Sequence, residues 1–81
     1  MDTEKETLLL YIESLLPRGF SISYEDYSII ERWWALGEAD LPRILLVLAE
    51  ILPSYFQQKK SRMMALQGVE KKISQALLRH L

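Results

Sequence analysis

Eighty-one residues leave room for one domain with one small core, and the absence of cysteine removes disulfides and thiolate zinc sites as sources of extra stability. The chain is 49% apolar, with fifteen leucines and seven isoleucines against two valines. That bias favours helix over sheet, and no apolar run approaches the ~20 residues that span a bilayer. The net charge of −1 hides an asymmetry: residues 1–50 hold ten acids and four bases, whereas residues 51–81 hold one acid and six bases. Such halves point first to acidic and basic surfaces that attract each other, within one molecule or across a dimer, and second to an anion-binding segment.

The first helix is expected from about Glu4 to Leu16. Thr3 and Glu6 have the spacing of a capping box. Leu8, Leu9, Ile12, Leu15 and Leu16 share one face, Leu10 points away from it, and Pro17 ends the helix. The second is expected from about Tyr24 to Leu36. Ser23 is its N-cap, and Glu25 and Asp26 complement the dipole in its first turn. Ile22 and Tyr27 have hydrophobic-staple spacing, and Gly37 is placed as the residue that closes the helix. Tyr27, Ile30 and Trp34 form one face, assigned to the core. Ile29, Trp33 and Leu36 form an adjoining face, assigned to an interface.

The third helix is expected from about Leu41 to Leu52, capped by Asp40 and stopped by Pro53. Only Pro42, Arg43 and Glu50 interrupt its apolar surface, so it reads as the hub of the fold. The last helix is expected from Ser61 to about His80, with an earlier start just after Pro53 left open. Ala65, Leu66, Val69, Ile73, Ala76 and Leu77 make its apolar stripe, with Tyr55 on an N-terminal extension. Lys71, Lys72, Gln75 and Arg79 lie opposite, and Gly68 is a weak point inside the helix. These elements predict an all-α protein: a single domain over residues 1–81, folded as an irregular four-helix bundle around a central, mostly apolar third helix.

Little in this chain reads as chemistry. The lone imidazole, His80, lies at a helix end, where a general base lacks fixed geometry. Glu25 and Asp26 are neighbours on a helix and diverge around its axis. No His, Glu and Asp set has metal-ligand spacing, and three isolated glycines make no phosphate loop. No catalytic residue, metal, cofactor or small-molecule substrate is therefore expected, and the reading is non-enzymatic.

The second helix, Gly37 and the third helix imitate a helix-turn-helix, but the third helix offers leucines where base edges require polar groups, with Arg43 alone as a reader. Tyr55 and Phe56 precede Lys59, Lys60 and Arg62, a pairing that suits single strands but reads better as core aromatics beside a solvated helix start. The acidic opening, Asp2 to Glu6, stands where a signal or transit peptide is basic, so a cytoplasmic protein is expected.

The run Tyr27-Ser28-Ile29-Ile30-Glu31-Arg32-Trp33, then Gly37, Leu41, Ile44-Leu45 and Leu48, resembles the core of a family of small uncharacterised bacterial all-helical proteins. The later stretch Lys59-Lys60-Ser61-Arg62-Met63-Met64-Ala65-Leu66 is similar to that family's basic tail. The same helix pair resembles, more distantly, the C-terminal domain of DnaD-like replication proteins. The first likeness implies a helical fold without an assigned activity, and the second implies contact with DNA.

Two partner classes follow. The surplus apolar residues Leu10, Ile29, Trp33, Leu36, Leu46 and Val47 are the candidate interface for a second copy or another protein. Lys59, Lys60, Arg62, Lys71 and Lys72 are the candidate contacts for nucleic acid, the less favoured partner. No membrane partner is expected.

Overall fold

A computed structural model describes residues 3–58 and 66–79. These form four α-helices and one 3₁₀ turn, with no strand among them: α1 Thr3–Leu15, α2 Tyr24–Leu36, α3 Leu41–Gln58, the 3₁₀ turn Gln67–Val69, and α4 Glu70–Arg79. The protein is all-α, as its leucine-rich composition predicts.

The α1 helix begins one residue earlier than expected, which puts Thr3 inside the helix. Its carbonyl accepts from the Thr7 hydroxyl at 3.0 Å, so the anticipated Thr3–Glu6 capping box is replaced by a bond within the helix. Leu8 and Ile12 are fully buried, and Leu9, Leu15 and Leu16 pack against the core. The chain then reverses in a tight turn in which Phe20 N–H donates to Pro17 O at 3.0 Å. Gly19 supplies the φ of 89° that this turn demands and a side chain would resist.

The α2 helix starts where Ser23 places it. At its other end Gly37 departs from expectation, because its φ is −83° and the left-handed residues are Glu38 and Ala39, both at 56°. Glu38 N–H donates to Ala35 O and Ala39 N–H to Trp34 O, each at 3.0 Å, which together make a Schellman closure without glycine at its left-handed position. Gly37 is required for space instead. A Cβ there would lie 2.3 Å from Ile44 Cγ1, so only glycine lets α3 start directly over the end of α2.

The α3 helix is the hub, packing against α1, α2 and α4. Asp40 caps it by accepting from Arg43 N–H at 3.3 Å. It runs six residues past the expected stop, through Pro53 to Gln58. Proline removes the amide that would reach Ala49 O, but both residues are exposed, so the lost bond falls on the solvent side of the helix and not in the core. Burial of Leu52 and Phe56 on the adjoining, core-facing flank holds the helix together across the break, and Phe56 meets the edge of Phe20 at 6.3 Å between ring centroids.

The last helix is shorter than the sequence suggests. Leu66 lies in a turn, residues 67–69 are 3₁₀, and the α-helix begins only at Glu70. The expected helical start at Ser61 to Ala65 falls outside the described residues. Gly68 therefore sits before the helix, where a Cβ would come within 2.8 Å of Tyr55 Oη. The expected stripe holds: Leu66, Val69, Ile73 and Leu77 are buried, while Lys71, Lys72, Gln75 and Arg79 are exposed.

Candidate interaction surface

The rotation of α2 decides which residues are free to meet a partner, and Asp26 sets that rotation. Its carboxylate is fully buried. Oδ2 accepts from Ser23 N–H at 3.0 Å and from the Ser23 hydroxyl at 2.9 Å, while Asp26 N–H donates back to Ser23 Oγ at 3.2 Å. Oδ1 accepts from Leu66 N–H at 3.0 Å. One carboxylate thus completes a capping box and also pins the turn that precedes α4 onto the start of α2.

Asp26, Ile29, Ile30 and Trp33 lie at i, i+3, i+4 and i+7, and this is the buried stripe of α2. The expected facing is therefore corrected. Trp33 is 0% exposed and Ile29 is equally core, whereas Trp34 is half-buried and Tyr27 is 44% exposed. The apolar residues alone fit two overlapping stripes, and the true one runs through an acid that sequence reading assigned to the dipole. Val47 is also buried, between Ile44 and Leu48 on the inward side of α3, so it too leaves the interface set. Leu36 is partly buried against the core. Of the six candidate interface residues, Leu10 and Leu46 are exposed, Leu10 at 65%.

Outward from this stripe, α2 is flanked by α1 on one side and α4 on the other. Lys5 Nζ meets Glu31 Oε2 at 2.9 Å across the first boundary, and Arg32 pairs with Glu70 across the second. Because α1 packs chiefly on α3, the α1–α2 boundary is open. It forms a cleft of about 300 Å³ lined by Leu9, Tyr27 and Ile30, with Lys5, Glu6 and Glu31 at its rim. The α2–α4 boundary holds a second cleft of about 410 Å³, polar and lined by Tyr24, Ser28, Arg32, Gln67 and Glu70 among others. A tyrosine stands at each: Tyr27 at the first, and Tyr24, 82% exposed, at the second.

The basic candidates divide. Lys71 and Lys72 are exposed on α4, and Lys72 and Glu50 both line a cleft between α3 and α4. Lys59, Lys60 and Arg62 fall outside the described residues, as does His80. Phe56 is buried and Tyr55 half-buried against it at 5.3 Å between centroids, so these rings serve the core. Arg43 is half-buried, with Nε and Nη2 shielded from solvent, and so is not displayed as a base reader.

Among the described residues no group of three His, Asp or Glu side chains could hold a metal ion. No described helix is long and apolar enough to cross a membrane. Comparison with protein-family models, with curated proteins and with solved structures finds no match to this chain.

Proposed function

We propose that the protein is a non-enzymatic helical interaction module that self-associates through the face carrying the α1–α2 cleft. One observation carries the reading. A chain of 81 residues leaves Leu9 and Tyr27 lining an open cleft that reaches the core at Ile30, with Leu10 bare on the same helix as Leu9. Its volume is at the lower limit for a small-molecule site, and its open form fits one or two protruding side chains. Two exposed tyrosines on the same face suit a contact, since tyrosine brings large area at small entropic cost. Light scattering at micromolar concentration tests it. The expected mass is twice 9.5 kDa, and Leu10→Glu weakens association about tenfold while leaving thermal unfolding unchanged.

A second reading, contact with nucleic acid as the DnaD-like resemblance implies, draws support from the exposed Lys71, Lys72 and Arg79 on a helix whose one acid is paired with Arg32. Phosphate contacts of this kind give binding that falls steeply with salt. Absence of DNA binding in ~50 mM salt removes this reading, because electrostatic affinity is greatest there.

A further inference from the structure

On α1, Glu6, Leu10 and Glu13 stand at i, i+4 and i+7, so they form one stripe, and all three are exposed. Glu6 also lies on the rim of the apolar cleft. On α4, Lys71, Gln75 and Leu78 repeat the same spacing and are likewise exposed, Leu78 at 50%. The two stripes have the same length, opposite charge and one bare leucine each. They flank α2 on opposite sides, as the Lys5–Glu31 and Arg32–Glu70 pairs establish. Within one molecule α2 separates them, so they do not satisfy each other.

Turned by a two-fold axis through α2, the α1–α2–α4 face of one copy lays each stripe over its opposite in another copy. We infer that the occupant of the α1–α2 cleft is a second copy of this chain, docked through its α4. In this contact Leu78 covers the mouth of the cleft beside Leu9 and Leu10, and Lys71, about two turns away along α4, meets the carboxylate of Glu13 at the far end of the α1 stripe. Tyr24 and Tyr27 fall near the axis, and the acidic and basic parts of the chain face each other across the interface. The contact is isologous and closes at two copies, which excludes a growing filament. A standard interface takes about 800 Å² from each partner, roughly a seventh of the 5277 Å² this chain exposes, and a face built from three helices supplies it.

This inference rests on the self-association proposed above, and cysteine trapping separates the two. The chain has no cysteine, so the introduced thiols are the only ones present, and the mixed 10–75 disulfide is told from the 10–10 and 75–75 ones by mass. Leu10→Cys and Gln75→Cys variants are mixed and mildly oxidised. Leu46→Cys with Gln75→Cys serves as control, since Leu46 is exposed on α3, away from the face. A disulfide needs Cα atoms within about 7 Å, so only positions that meet in the dimer link quickly. The 10–75 link is expected to form at least tenfold faster than the 46–75 link. A wild-type mass that doubles while the 46–75 pair links as fast overturns this inference and leaves self-association standing. A wild-type mass that stays at 9.5 kDa in light scattering overturns both.

Discussion

Asp26 shows how much one side chain can decide in a domain this small. It is buried, forms no ion pair with a cation among the described residues, and is held by three donors, two from Ser23 and one from Leu66. Hydrogen bonds to a charged group contribute more than neutral ones, and removing the acceptor leaves the buried Leu66 amide and the half-buried Ser23 amide without this partner. Asp26→Ala is therefore expected to cost about 3 kcal/mol in urea unfolding, more than an ordinary cap. Trp33 is the second such residue. Trp33→Ala is expected to cost about 3–5 kcal/mol, against about 1–2 for the half-buried Trp34→Ala, a contrast that urea midpoints resolve. The Trp33 indole Nε1–H is buried and has no acceptor among the described residues. Trp33→Phe thus removes an unsatisfied donor along with some packing, and its expected cost is well below that of Trp33→Ala. Neither role was legible in the sequence. An acid in a first turn reads as a dipole partner, and adjacent tryptophans fit two stripes equally; the Leu66 amide that settles the rotation lies forty residues away.

At the scale of elements, boundaries set by local capping were legible and those set by packing were not. Ser23 and Asp40 both cap the helices they were assigned, because capping is chemistry local to a few residues. The end of α3 and the start of α4 depend instead on packing at a distance. Pro53 reads as a stop, yet Phe56 buried against Phe20 carries α3 onward for five more residues. Pro53→Ala restores an amide in an exposed helix interior and is expected to raise stability by about 1–2 kcal/mol. The α2–α3 turn stores a smaller strain, with Glu38 and Ala39 both left-handed. Ala39→Gly relieves a left-handed cost of about 1–2 kcal/mol and adds chain entropy to the unfolded state, for an expected net gain of about 0.5–1 kcal/mol in thermal or urea unfolding. Gly37→Ala moves the other way, since its methyl group meets Ile44. It is expected to cost about 2 kcal/mol, and combined with Ile44→Ala to cost less than the sum of the two.

Over the whole molecule, hydrophobic spacing was enough to predict the number of helices and the hub role of α3, because a helix apolar on most sides has few other places to go. The face left for a partner was not legible in the same way. It depends on the rotation of α2 and on α1 leaning toward α3, and neither leaves a mark in periodicity. The charge asymmetry was legible from the start, and the fold gives it a geometry: acidic α1 and basic α4 lie on opposite flanks of α2. A dimer held by that complementarity has a salt signature, since screening shortens from about 10 Å at 0.1 M to about 3 Å at 1 M salt. The most direct measurement is light scattering of the wild-type chain across a concentration series at low and at 1 M sodium chloride. A concentration-dependent approach to twice 9.5 kDa at low salt, shifted to higher concentration at 1 M, is the expected result. A mass of 9.5 kDa at every concentration in low salt would contradict it.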